Sequence, residues 1–199
     1  EQCPGLQHVF LMGGTEKSVA LPGLDALLAA AEPLPNAGAG GDDLLGIFYT
    51  GGTTGRPKGV MLSHTNMVSS SLALHAEGMA TPGGTYLHAA PMFHLADMAM
   101  SLMHCIEGNS HSFIPAFNPE AVLDVIARDG ISCVLLVPTM IQMLVDHPAM
   151  RDPRDLSSLH SIIYGASPIA EAVLDRAMAA LPGVGFVQAY GMTELSPLG

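Results

Sequence analysis

Short apolar runs alternate with helical stretches along almost the whole chain, and that alternation restricts the fold more than any single residue does. His8–Met12, Leu44–Tyr49, Tyr86–Ala90, Ser112–Ile114, Ile131–Val137, His160–Tyr164 and Phe186–Ala189 read as strands, with Leu44–Tyr49 expected to be buried. Leu24–Ala31, Asn66–Glu77, His94–Glu107, Pro119–Asp129, Pro138–His147 and Pro168–Leu181 read as helices. Strands separated by helices do not pair as hairpins; they pair in parallel through crossovers, and the helices cover the faces. The expectation is an α/β fold, with parallel sheets flanked by helices on both faces.

Local punctuation supports the helix limits. Asn118 followed by Pro119, with Gly130 at the far end, is a complete start-and-stop pattern. Ser63 or Thr65 can cap the helix that Gly78 terminates, and Ser167 before Pro168 reads as an N-cap with proline in the first turn. Pro33–Gly41, rich in glycine and proline, reads as a flexible surface connection.

The chemistry begins at Phe48-Tyr49-Thr50-Gly51-Gly52-Thr53-Thr54-Gly55-Arg56-Pro57-Lys58-Gly59. Glycines bring backbone N–H groups close to a ligand, while threonine hydroxyls and a lysine ammonium add donors and positive charge, a combination suited to a polyphosphate. A Walker loop is excluded because Pro57 separates Arg56 from Lys58 and Gly59 stands where a hydroxyl is needed. A dinucleotide fingerprint fails because Gly52-Thr53-Thr54-Gly55 runs into Pro57 and the β-prone Val60-Met61-Leu62 rather than a helix. The competing reading is a glycine-rich hairpin with a solvated lysine.

Tyr49–Gly59 resembles the phosphate-loop motif Y-T-S-G-T-T-G-x-P-K-G of the adenylate-forming enzymes, the superfamily of acyl-CoA synthetases, firefly-type luciferases and peptide-synthetase adenylation domains. Gly51 stands where serine is commonest, so one hydroxyl donor is missing. Gln188-Ala189-Tyr190-Gly191-Met192-Thr193-Glu194 resembles the same family's Y-G-x-T-E motif. By itself it would read as a strand-end turn with a solvated carboxylate. The resemblance implies that Thr50, Gly51, Gly52, Thr53, Thr54, Gly55 and Lys58 hold the β- and γ-phosphates of ATP. It also implies that Tyr190 stacks on adenine with Gly191 and Met192 beside it, that Thr193 bonds the α-phosphate, and that Glu194 holds Mg²⁺. Tyr164-Gly165-Ala166-Ser167-Pro168 looks like the family's adenine-side turn, with Gly165, Ala166 and Ser167 against the base. Pro91-Met92-Phe93-His94 looks like the motif in which His94 gates the substrate carboxylate; the alternative is a hydrogen-bonded histidine at a strand-to-helix turn.

The implied activity is activation of a carboxylic acid, a fatty or other hydrophobic one, to an acyl-adenylate, followed by thioester formation with coenzyme A. A non-catalytic nucleotide- or acyl-binding module on the same scaffold is the alternative. The same resemblance makes residues 1–199 part of a large N-terminal ATP- and acyl-binding domain. The ribose-binding aspartate, the hinge and the small C-terminal lid with its lysine are expected beyond Gly199.

Composition removes other classes. Seven basic against eighteen acidic residues, a formal net charge of −11, leave no basic cluster for nucleic acid. The most apolar run, Ile131–Val137, is far too short to span a bilayer, and no leader-like segment opens the chain. Cys3, Cys105 and Cys133 are odd in number and share no C-x-x-C spacing, which fits reduced cytoplasm. A second copy of the chain is a candidate partner for covering apolar surface. His88, His94, Asp97, His104 and His111 cluster in sequence without a zinc spacing. Met98, Met100, Met103, Met140 and Met143 on two helices read as adaptable core or as the wall of an acyl tunnel.

Overall fold

The computed structural model describes residues 5, 8–10, 23–51 and 55–197. The chain divides into two compact units, residues 1–39 and 40–199. In the first, α1 (Leu24–Ala30) is a short helix with no buried residue. Of the expected strand His8–Met12, residues 8–10 are irregular and Leu11 and Met12 lie outside the described residues.

The second unit opens with an antiparallel pair, β1 (Leu44–Thr50) and β2 (Lys58–Ser63), with Tyr49 opposite Gly59 and Thr50 opposite Lys58. The buried-strand expectation for Leu44–Tyr49 is corrected here. Only Leu45 and Phe48 turn toward a core, while Ile47 and Tyr49 are 50% and 75% exposed. An apolar run of this length reads the same whether one or both of its faces are covered, and pairing in a hairpin covers one.

Next comes α2 (His64–Ala76), held at its start by a reciprocal cap: Asn66 N–H donates to Ser63 Oγ and Ser63 N–H donates to Asn66 Oδ1. The remainder alternates: β3 (Thr85–His88), α3 (Leu95–Glu107), β4 (Ser110–Phe113), α4 (Pro119–Asp129), β5 (Cys133–Leu136), α5 (Pro138–Asp146), β6 (Ser161–Tyr164), α6 (Glu171–Ala180) and β7 (Gly185–Gln188). The five strands β3–β7 form one parallel sheet in the order β4-β3-β5-β6-β7. The parallel α/β expectation therefore holds for this sheet, and the β1–β2 pair is its antiparallel exception.

Strand residues alternate between two cores. Leu87, Val134, Leu136, Ile162 and Tyr164 face one side with Val122 and Ile126 of α4, Ile141 and Leu144 of α5 and Ala177 of α6. Tyr86, Cys133, Leu135 and Ile163 face the other with Met67 of α2 and Leu95, Met100 and Met103 of α3. Each fully buried aliphatic side chain stabilises by about 1.5–3 kcal/mol relative to exposure. Both faces are thus dry, which is why β5 is apolar throughout.

Asn118 accepts from Ala121 N–H at 3.0 Å, Pro119 opens α4 and Gly130 closes it at φ +64°, as the sequence indicates. Ser167 does not cap a helix: α6 begins only at Glu171 with Ala170 as its N-cap, so Ser167 and Pro168 belong to the preceding turn.

Helix α3 follows β3 on one face, whereas α4, α5 and α6 lie on the other. Chain direction across the sheet reverses between β3, whose successor is β4 on one side, and β5 on its other side. In open α/β sheets such a reversal opens a crevice beyond the carboxyl ends of the strands.

Candidate functional site

A crevice of about 300 Å³ lies at that edge. Its walls are the segments leaving four strands: Ala90 and Pro91 after β3, Val137 and Met140 after β5, Gly165 and Ala166 after β6, and Ala189, Gly191, Met192 and Thr193 after β7. His94 and the first turn of α3 close one side. Apart from His94, Asp97, Tyr164 and Thr193 the lining is apolar or glycine.

Two backbone features shape the turn that follows β6. A Cβ at Gly165 would meet the carbonyl oxygen of Ala189, so β6 and β7 approach each other there more closely than any side chain allows. Ala166 sits at φ +68°, a left-handed conformation that costs a non-glycine residue about 1–2 kcal/mol. Such strain concentrates where a turn serves a ligand. After β7, Ala189 N–H donates to the Tyr164 carbonyl at 2.7 Å, Met192 N–H donates to the Pro197 carbonyl at 2.8 Å, and a 3₁₀ turn spans Thr193–Leu195. The turn brings Thr193 to the crevice and leaves Glu194 exposed.

Six of the residues selected from sequence thus line one crevice: His94, Gly165, Ala166, Gly191, Met192 and Thr193. Ser167, Tyr190 and Glu194 sit on the same segments but point to solvent, Tyr190 with 74% exposure. In the glycine-rich stretch between β1 and β2, Thr50 is half-buried, Gly51, Gly55 and Lys58 are exposed, and none of the four lines the crevice. Gly52, Thr53 and Thr54 lie outside the described residues. Sequence reasoning missed Leu135, Ile163 and Ala189 as lining residues, because only the sheet order brings the ends of β5, β6 and β7 to one place.

A second, neighbouring crevice of about 460 Å³ is lined by His88, Phe93, Phe113, Phe117 and Met140. The methionines therefore divide: Met100 and Met103 are fully buried core, Met143 is exposed, and Met140 borders both crevices. For Met103 the tunnel alternative is excluded.

The histidines also divide. His88 and His111 spend ring nitrogens on each other, Nε2 to Nδ1 at 2.9 Å, and His104 Nδ1 accepts from Asn109 Nδ2 at 2.9 Å. Among the described residues no three His, Cys, Asp or Glu side chains converge as a metal cage. Burial, reinforced by His111 and His88, pushes His104 down to about 4. Burial and His88 lower His111, partly offset by Asp97. No helix among the described residues is long and apolar enough to cross a membrane.

A crevice at the switch point of a parallel sheet is where open α/β proteins bind their ligands. The model of one family, described as AMP-binding enzyme, matches residues 7–199, and the chain belongs to that family. It is 38% identical over 174 residues to a feruloyl-CoA synthase of Amycolatopsis sp, covering 85% of this chain and 34% of the relative. It is 33% identical over 198 residues to the medium/long-chain-fatty-acid–CoA ligase FadD8 of Mycobacterium tuberculosis, covering 98% of this chain and 34% of the relative. Among solved structures, ATP-bound MatB from Rhodopseudomonas palustris superposes with a TM-score of 0.75 at 33% identity, over 87% of this chain and 34% of that one. The chain spans about a third of the length of these relatives.

Proposed function

We propose that the full-length protein carrying these residues activates a hydrophobic carboxylic acid with ATP and passes the acyl group to coenzyme A. The observation that carries this reading is the convergence of His94, Gly165, Ala166 and Gly191–Thr193 on one apolar crevice, with an exposed carboxylate, Glu194, next to Thr193. Relatives named as feruloyl-CoA and fatty-acid–CoA ligases support the reaction class.

In the first step a carboxylate oxygen of the acid attacks the α-phosphorus and pyrophosphate leaves. In the second a thiol sulfur attacks the acyl carbon, AMP leaves and the thiol proton is lost. The hairpin amides, Thr50 and Lys58 would hold the phosphates, Thr193 would donate to the α-phosphate, and the face of Tyr190 would take the adenine against the Gly165–Ser167 turn. His94 would stand between nucleotide and acid. Magnesium, when bound, neutralises charge that the incoming carboxylate would otherwise meet. One exposed carboxylate suits it, because this ion is commonly held by one or two carboxylates and by substrate phosphates. The lining by Ala90, Leu135, Met140, Ile163 and Ala189 favours an apolar acid.

Acid-dependent exchange of pyrophosphate into ATP by the full-length protein, run against a panel of medium-chain and aryl acids, tests the reading. ATP binding without exchange would favour the non-catalytic module instead. Two variants add detail. Lys58→Ala should raise the ATP KM about 10- to 100-fold, the worth of one charge-assisted contact. ATP dependence equal to wild type would remove Lys58 from the phosphate site. Met140→Trp should shift the preference toward shorter acids, since a rigid ring occupies volume that a thioether yields. An unshifted profile with lowered stability would leave Met140 a packing residue only.

A further inference from the structure

In the wall between the two crevices, where Asp97 borders the first and His88 the second, lies a polar assembly that the reaction above does not use. Asp97, in the first turn of α3, has 0% side-chain exposure, and His88 on β3 has 2%. Asp97 Oδ1 accepts from Tyr86 O–H at 2.8 Å and Oδ2 from His88 Nδ1 at 2.7 Å. With that tautomer His88 Nε2 accepts from His111 Nδ1, and His111 Nε2 is left to accept from Cys105 S–H at 3.5 Å. The rings interlock as well: His88 stacks on Phe113 with 4.5 Å between centroids, and Tyr86 stacks on His104 at 4.6 Å. Two strands and one helix are thereby joined by a continuous chain of hydrogen bonds.

Burying a carboxylate is expensive, and apolar residues of similar volume would commonly pack such a site at no loss of stability. What a fully bonded polar set adds is a unique register between the elements that carry it. Here the register matters at one place. The residue before α3, His94, has no side-chain cap to fix the helix start. Its carbonyl accepts from Asp97 N–H at 3.2 Å and from Met98 N–H at 3.3 Å, so the backbone of His94 is tied to the residue that the buried network anchors.

We propose that Tyr86, His88 and Asp97 are a positioning unit that holds the first turn of α3, and with it His94, at the crevice wall; the proposal rests on the acid-activating reading. Asp97 touches no reacting atom. It acts through His94, by removing the freedom of α3 to slide or rotate against β3. Loss of the anchor therefore affects handling of the acid, on the His94 side, more than handling of ATP.

The test uses the full-length protein with isotopically labelled histidine, as wild type, Asp97→Asn and Tyr86→Phe. Asp97→Asn turns an N–H₂ group toward the His88 or the Tyr86 donor, and Tyr86→Phe deletes one bond while keeping the ring. Expected for Asp97→Asn are displaced or broadened His94 ring resonances, an acid KM raised about tenfold and an ATP KM within twofold of wild type. Tyr86→Phe should move the same observables in the same direction by about threefold, and it carries the test if Asp97→Asn fails to fold. His94 resonances that superpose on wild type in a folded variant overturn the proposal, and so does an equal rise in both KM values. A wild type that shows no acid-dependent exchange defeats the acid-activating reading instead, and the His94 resonances then still decide whether the unit positions that residue.

Discussion

Gly165→Ala should cost about 1–3 kcal/mol of unfolding free energy, measured by urea denaturation, the range for overpacking. The added methyl drives into the Ala189 carbonyl oxygen, a backbone atom held by the bond from Ala189 N–H to the Tyr164 carbonyl at 2.7 Å. Relief requires the ends of β6 and β7 to separate, which displaces Gly191–Thr193 from the crevice wall, so nucleotide affinity should fall in parallel. Gly51→Ser supplies the control. Among the described residues Gly51 has no heavy atom within 4 Å of an added Cβ, and it has no left-handed φ, so that variant should stay within about 0.5 kcal/mol of wild type. A Gly165→Ala protein as stable as Gly51→Ser would show that the strand ends yield freely.

Glu194→Gln should separate activity from stability. Glu194 is exposed on a 3₁₀ turn, so the amide should leave the urea midpoint unchanged. A neutral oxygen is a poor ligand for a hard dication, and losing one preorganised electrostatic contact commonly costs about 10²–10³ in turnover. The full-length variant should therefore lose adenylate formation by about that factor, and the deficit should narrow as Mg²⁺ is raised. Exchange at the wild-type rate under limiting Mg²⁺ would make Glu194 a surface residue.

What the sequence made legible was local. The cap at Asn118, the proline after it and the stop at Gly130 are decided within a dozen residues, and the structure has them where they read. The crevice motifs around His94, Gly165 and Thr193 were legible only through their resemblance to motifs of the adenylate-forming family; alone, each reads as an ordinary strand-end turn. Position in the sheet was not visible. Leu44–Tyr49 is as apolar as β5, yet its partner is a hairpin strand and half its side chains remain exposed. Ser167-Pro168 has the composition of a helix start, but the left-handed Ala166 and the close approach at Gly165 commit those residues to a turn, and the helix waits until Glu171. The histidines that cluster in sequence without a zinc spacing are carried by a helix and two strands. Only their packing turns Tyr86, His88, Asp97 and His111 into one hydrogen-bonded chain.

The sheet order also bears on how the molecule comes to be. No neighbouring pair among β3–β7 is joined by a tight turn; every contact between strands waits for an intervening helix to be laid across the sheet, and β5 must reach back past β4 to pair with β3. The walls of the crevice run from Ala90 to Pro197, so no contiguous short segment contains them. Chains dominated by such distant pairings close loops before they are rewarded for it and fold slowly. During synthesis, β3, β5 and β6 are made before β7, and the crevice acquires its last wall only when the residues after Gln188 dock. A nascent chain that stops short of them leaves the ladder edge of β6 unpaired and the crevice open on that side.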